Sequence, residues 1–396
     1  MFRIEMLPAA HGDCLWIEYG SGREIHRILI DGGPAHAYPA LRERILHLPT
    51  DERRFDLLVI THIDADHIEG IIRLLLDAEA LDCRFDRIWF NGRDQLNAVP
   101  DAAGQPLGGV QGEILGMLIA DYEQRTGTTV WNLGFDKALA AIDRKNPALP
   151  VVDLPGACRL TLLSPDYGRL LDLKDNWAKE LKAARVQSGD SAELRELLDS
   201  SRSLRPLGDV LGQQEDLDID TPGTDELDAG LDDVLGGGTG EPGADAPFGG
   251  DTSRANGSSI ALLLKYPGIK PEVSFLLAGD AWASVLETSI DRLLTPGSRL
   301  AISGFKLAHH GSVANVSESL LGRLRCPNYL ISTNGAIFRH PHARCVELLL
   351  KTHAGTGKPR LHFNYLVAST EAWSTDADQL ARGYQAFHPK GLSLSF

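Results

Sequence analysis

The sequence predicts an α/β fold, and three observations predict it. Short apolar runs of β type alternate with amphipathic helical stretches, the runs on either side of one acidic segment share the same character, and His and Asp clusters fall where those runs end. With 396 residues, 43% hydrophobic and 23% charged, the chain is long enough to bury a large core.

In chain order, FRIEML, LWIEY, HRILIDGG, FDLLVITH, DRIWF and CRLTLLS read as strands, followed after the acidic segment by SSIALLLKY, SFLLAGD, FKLAHHG and NYLISTN. Helices are expected at Tyr38–His47, Ile68–Ala78, Gln111–Gln124, Ala281–Leu293, Ser317–Arg323 and Ala343–Thr352. Neither half holds a complete set of polar clusters, so residues 1–396 read as one composite domain with an insertion at 206–253.

That insertion carries 13 Asp or Glu and no Lys or Arg, so of the net charge of −15 only about −2 belongs to the rest of the chain. Its Gly and Pro content predicts disorder, as a solvated linker or as a docking or autoinhibitory segment for a protein partner. No apolar run of about 18 residues and no basic-then-apolar leader is present, which predicts a cytoplasmic protein with no membrane partner. The five cysteines, Cys14, Cys83, Cys158, Cys326 and Cys345, are odd in number and show no CxxC pair. They are expected to be reduced core residues, neither disulfides nor a thiolate zinc site.

The chemistry collects at strand ends. FDLLVI delivers Thr61-His62 to a short loop before the next helix, and THIDADHIEG places His62, Asp64, Asp66 and His67 within six residues. Such a loop can wrap two neighbouring ions, since imidazole and carboxylate are ligands for Zn²⁺ or Mn²⁺. Asp31 ends another strand and precedes two glycines, Asp280 closes SFLLAG, and His309-His310 end FKLA. Adjacent residues leaving a strand point oppositely, so one of His309 and His310 is expected on metal and the other towards substrate or behind a ligand; the sequence does not decide which. His340 and His342 follow a further strand, and Asn256 and Ser259 stand just after the insertion. Lys306 and Ser312 are weaker candidates for touching a phosphate.

Together these pieces resemble the metallo-β-lactamase superfamily. THIDADHIEG is similar to its HxHxDH loop, with Asp64 where many members have the second histidine. The HxDxDH variant, with His11-Gly12-Asp13, Leu29-Ile30-Asp31-Gly32-Gly33 and His309-His310-Gly311-Ser312, looks most like the soluble hydrolase domain of ComEC-type competence proteins and its stand-alone bacterial relatives. The resemblance spans nearly the whole chain apart from the insertion. It implies a four-layer αββα sandwich, two mixed β-sheets flanked by helices, holding two divalent ions, Zn or Mn. It further implies that Asp280 bridges the ions and that Asp31, with Asp13, supports the ligands by hydrogen bonds. Between Cys83 and Gly279 there is no histidine, where many members have another ligand. The ligand sets proposed are therefore His62, Asp64, Asp280 and either His309 or His310 for one ion, and Asp66, His67, Asp280 and His340 for the other. Asp66, His310 and Asn256 are the candidate catalytic residues.

The resemblance implies a phosphodiesterase or nuclease in which a metal-bound hydroxide attacks a nucleic-acid or nucleotide phosphodiester. A concentrated basic and aromatic patch is missing; RILHLPTDERRFD and DRKNPALP are modest basic spots, which keeps a small nucleotide or a non-phosphate ester as alternative substrates. A partner-gated effector or sensor, for example in phage defence or DNA uptake, is the alternative of a different class. GxSxG, GxxxxGK[ST] and HExxH motifs are lacking and no GxGxxG follows the first strand, LGGGTGEPG in the insertion being only linker glycine, which removes support for serine hydrolase, P-loop, dinucleotide and zinc-protease readings.

Overall fold

Burial alternates along the first strand, β1 (Phe2–Met6), where Phe2, Ile4 and Met6 are buried and Arg3 and Glu5 only partly so. The computed structural model describes residues 1–99, 110–174, 248–353, 357–389 and 391–396. Of the insertion, 206–247 lie outside the described residues, while 248–253 are described and include buried Asp251 and Ser253.

The N-terminal half continues through β2 (Leu15–Ser21), β3 (Glu24–Ile30), α1 (Tyr38–Leu46), β4 (Arg54–Phe55), β5 (Leu57–Val59) and α2 (Ala65–Asp77). β6 (Arg84–Phe85), β7 (Ile88–Trp89), α3 (Arg93–Ala98), α4 (Val110–Thr126), β8 (Val151–Asp153) and β9 (Arg159–Ser164) follow. Next come α5 (Arg254–Gly257), β10 (Ala261–Tyr266), β11 (Val273–Leu277), α6 (Ala283–Asp291), β12 (Leu300–Ala301), β13 (Gly304–Lys306), α7 (Glu318–Gly322) and β14 (Leu324–Arg325). β15 (Asn328–Ile331), α8 (Ala343–Thr352), β16 (Arg360–Phe363), α9 (Ala368–Glu371), α10 (Asp376–Arg382), β17 (Gln385–Phe387) and β18 (Ser393–Ser395) complete the described chain.

Two mixed sheets result. The first has the order β18-β1-β2-β3-β5-β7 and the second β17-β16-β15-β13-β11-β10-β9-β8. Pairings are antiparallel from β1 to β3 and from β8 to β11, then parallel in β3-β5-β7 and in β11-β13-β15-β16-β17. Strands from the two ends of the sequence meet where β1 pairs with β18, and strands from either side of the insertion meet where β9 pairs with β10. Between the sheets, Phe2 stacks on Phe275 at 5.5 Å and Tyr19 meets Tyr266 at 5.3 Å. The other face of the first sheet, through Trp16, Leu29, Leu58 and Ile60, packs on Leu41, Ile68, Ile71, Ile72 and Ile114 of α1, α2 and α4. Each such buried side chain contributes roughly 1.5–3 kcal/mol.

Parallel strands bring their C-terminal ends to one edge, the usual place for a ligand in a mixed α/β sheet. β3 ends there before Asp31, β5 before Thr61, β11 before Asp280, β13 before His309 and β15 before Ser332. Among the described residues, no helix is long and apolar enough to cross a membrane.

Candidate metal centre

α2 begins at Ala65, three residues before the Ile68 start that periodicity predicts, so Asp66 and His67 sit in its first turn. Asp64 is the N-cap but makes no side-chain cap bond; its Oδ2 lies 3.3 Å from His62 Nε2 instead. A carboxylate in the first turn faces the positive end of the helix dipole, which favours Asp66 as an anion. The loop is held from outside by backbone contact. A Cβ on Gly12 would come within 1.8 Å of the Asp66 carbonyl oxygen, and one on Gly70 within 2.0 Å of the Gly32 carbonyl oxygen.

Asp31 orients two of the imidazoles. It is fully buried at a positive φ of 58°, which turns its carboxylate back onto the loop. Its Oδ1 accepts the Thr61 backbone N–H at 2.8 Å, and its Oδ2 accepts the Thr61 hydroxyl at 2.7 Å and His67 Nδ1 at 2.8 Å. With its own proton committed to Asp31, the Thr61 oxygen is free to accept His62 Nδ1 at 2.9 Å, where Ser259 Oγ also stands at 3.0 Å. Donation at Nδ1 leaves Nε2 of both rings as lone pairs facing inward.

Those lone pairs converge on Asp280. Its Oδ2 lies 3.8 Å from His62 Nε2, 3.4 Å from His67 Nε2, 3.8 Å from His309 Nε2 and 3.9 Å from His310 Nε2. Both histidines of the HHGS stretch therefore approach the same carboxylate. The expectation that only one would do so assumed an extended exit from β13, whereas His309, His310 and Gly311 have φ of 46°, 53° and 89° and curl the chain. Two successive non-glycine residues there cost on the order of 1–3 kcal/mol each, a strain the packing around Asp280 must hold.

His310 Nε2 lies 3.4 Å from Asp66 Oδ2, while His310 Nδ1 is 2.9 Å from the Ser332 carbonyl and 3.3 Å from Asp13 Oδ1. Asp13 in turn accepts from Lys306 Nζ at 2.6 Å. Lys306 is wholly buried in that pair, so the expectation that it touches a phosphate does not hold. Ser312 is buried as well, its hydroxyl accepting from Ala314 N at 3.3 Å.

Asn256 does not face an open site. It is fully buried behind His309, 3.3 Å from Nδ1, and donates to Asp251 Oδ2 at 2.8 Å, so it acts through His309 and not on a substrate. Sequence reasoning missed its neighbours Asp251 and Asn315, which belong to no motif. His340 is buried against the ring of His309 at 5.0 Å and that of His310 at 6.2 Å. It joins none of the close His/Asp groups, and the place beside Asp66 and His67 expected for it is taken by His310. His342, two residues on, accepts from Val313 N at 3.1 Å.

Donor atoms gather in three sets: His62, His67 and Asp280; Asp66, His67 and His310; and Asp13, Asp31 and His67. In the third, Lys306 takes Asp13 Oδ2 and His67 Nδ1 takes Asp31 Oδ2, while Asp13 Oδ1 has no hydrogen-bond partner among the described residues and lies 3.3 Å from His310 Nδ1. In the first two, Nε2 of His62, His67 and His310 and Oδ1 of Asp280 are buried with no hydrogen-bond partner among the described residues. Buried polar atoms left this way are costly unless something else binds them.

Electrostatics points the same way. Burial disfavours charge on these imidazoles, yet Asp64 and Asp280 raise His62, and Asp280 with Asp66 and Asp31 raises His67 well above its ordinary value. His310, despite burial, is pushed up to about 9 by Asp280, Asp13 and Asp66. Burial pushes Asp280 and Asp66 upward, and the surrounding histidines pull both well below the carboxylate range. Positive charge at the Nε2 positions satisfies these carboxylates, whether carried by the imidazoles themselves or by a divalent cation with the imidazoles neutral. A mixed nitrogen and oxygen set suits Zn²⁺ or Mn²⁺. His340 behaves oppositely, held well below its ordinary value by burial and by His309, His342 and His310.

No protein-family model matches the chain, and no curated protein matches it.

Proposed function

We propose that this chain is a metal-dependent hydrolase of metallo-β-lactamase type, with αββα architecture and a dinuclear centre, acting on a phosphodiester of nucleic acid or nucleotide. The observation that carries the reading is the convergence of four imidazole Nε2 atoms on Asp280 Oδ2, with Asp64 and Asp66 at the two outer ends. One ion position is assigned to His62, Asp64, His309 and Asp280, the other to Asp66, His67, His310 and Asp280. Bound there, Zn²⁺ or Mn²⁺ supplies Lewis acidity towards a phosphoryl oxygen and lowers the pKa of water.

The chain's own residues prepare that chemistry. Asp280 draws both ligand sets together, and Asp31 fixes which nitrogen of His62 and His67 faces inward. The imidazoles and Asp280 are almost wholly enclosed, whereas the Asp64 and Asp66 side chains keep 17% and 16% exposure, so substrate arrives over the first turn of α2. The phosphodiester choice rests on the resemblance of the HxDxDH and HHGS motifs to ComEC-type domains.

Hydrolysis of bis-p-nitrophenyl phosphate with added Zn²⁺ or Mn²⁺ tests this. Turnover should need the metal and fall roughly 10³-fold or more in Asp66→Ala. Metal-independent turnover, or an active Asp66→Ala protein, would overturn it, and metal-dependent hydrolysis of p-nitrophenyl acetate alone would move the substrate to carboxylic esters.

A further inference from the structure

Asp251 is the least expected residue near the centre. It lies two residues before the end of the acidic segment, yet it is buried and tied into the fold by its N–H to Ala314 O at 3.1 Å. Its Oδ1 accepts the Ser253 N–H at 2.7 Å, and its Oδ2 accepts Asn315 Nδ2 at 2.7 Å and Asn256 Nδ2 at 2.8 Å. Among the described residues no other carboxylate pairs with His309 Nδ1; Asp251 Oδ2 is 3.8 Å from it.

An ionised carboxylate can only accept, so the Asn315 atom facing it must be the NH₂ group. The second proton of that NH₂ goes to the Asp280 carbonyl at 3.0 Å. Both amide protons are then used, and the remaining Asn315 Oδ1 lies 3.0 Å from His309 Nδ1. That oxygen can only accept, so this shorter contact, against the Asn256 NH₂ group at 3.3 Å from the same nitrogen, sets the proton on Nδ1 and leaves Nε2 of His309 a lone pair directed at Asp280. A carboxylate one residue removed thereby sets the ring's tautomer. His62 and His67 depend on Asp31 in the same sense, so two separate carboxylates serve the two flanks of Asp280.

We infer that Asp251 is a positioning residue for the ion position of His62, Asp64, His309 and Asp280, acting through Asn315 to fix the His309 tautomer, with no comparable hold on the position of Asp66, His67 and His310. This rests on the dinuclear reading. It also means that the chain leaving the acidic segment is fastened to one ion position and not to the other.

The test is a Co²⁺ titration of the metal-free full-length protein, followed by visible absorption and calorimetry, with Asp251→Ala, Asp251→Asn, His309→Ala and His310→Ala beside wild type. Wild type should take two equivalents. Asp251→Ala should lose about 10–100-fold in affinity for one equivalent only. The spectrum that survives should match that of His309→Ala and differ from that of His310→Ala, and Asp251→Asn, which keeps an acceptor oxygen, should recover part of the loss. If Asp251→Ala does not fold, Asp251→Asn decides by the same spectral comparison. Two unchanged equivalents in a folded Asp251 variant would overturn the inference and leave the dinuclear reading standing. Equal weakening of both equivalents, together with a lower melting temperature, would reduce Asp251 to a structural residue. A wild-type protein that binds no Co²⁺ would overturn the dinuclear reading and this inference with it.

Discussion

Asp31 Oδ2 accepts the Nδ1 proton of His67 at 2.8 Å, and the same oxygen takes the Thr61 hydroxyl proton at 2.7 Å, which leaves the Thr61 oxygen turned towards His62. One buried carboxylate thereby sets two rings on the same flank of Asp280. Asp31→Ala should lower metal affinity about 10–100-fold, and Thr61→Val, which spares the His67 bond, should cost less. Chelator competition with Zn²⁺ measures both. Equal affinities in wild type and Asp31→Ala would show that the rings hold their orientation without it.

Gly12 fastens the loop from the opposite side. A methyl group there would meet the Asp66 carbonyl oxygen at 1.8 Å, a distance no atom pair tolerates, so the start of α2 has to move. Displacement of a reacting group by an ångström costs on the order of 10²-fold in rate. Gly12→Ala should therefore lose about that much phosphodiester hydrolysis while remaining folded by circular dichroism. Full activity would show that the loop yields without carrying Asp66 with it.

His310, inside the HHGS turn, and His340, packed against that turn, make opposite predictions. His310 Nε2 reaches Asp66 and Asp280, whereas the nearest rings to His340 are other imidazoles. His310→Ala should bind one ion fewer and lose turnover by roughly 10³-fold, while His340→Ala should keep both ions. Loss of an ion in His340→Ala with none lost in His310→Ala would reverse the assignment of the second position.

Far from the centre, His362 gives the fold its own pH dependence. Burial, with Arg360 nearby, lowers it to about 4, and its Nε2 stands 3.1 Å from Asn328 Oδ1, a bond the neutral ring donates. The folded value lies below the ordinary 6.5, so unfolding takes up a proton as pH falls, and stability present above about 6.5 is lost towards pH 4. The loss attributable to this ring is up to about 2–3 kcal/mol. Urea melts of wild type and His362→Gln at pH 7.5 and 4.5 should show a larger decline in wild type. Parallel declines would remove His362 as the cause.

Much of the fold could be read from local pattern. Apolar runs such as ALLL and SFLL mark strands because both of their faces are buried, and α8 spans the Ala343–Thr352 range that periodicity gives. Nothing beyond Thr352 was readable in the same way: β16, β17 and β18 are four, three and three residues long. β18 exists by pairing with β1 at the other end of the chain, a contact that no local window contains. At the centre, four metal-competent side chains in six residues announced themselves. What they touch did not, because the curl at His309 and His310 is a tertiary effect and the Lys306–Asp13 pair joins residues 293 apart. Asp251 and Asn315 look like ordinary turn residues in sequence and acquire a role only through the three-dimensional path Asp251–Asn315–His309.

If two cations share Asp280, metal content by plasma mass spectrometry separates purified wild-type from Asp280→Ala protein. About two ions of Zn or Mn are expected per wild-type chain and at most one in Asp280→Ala. A wild-type chain that carries no metal after loading with either ion, or an Asp280→Ala chain that still carries two, would contradict that sharing.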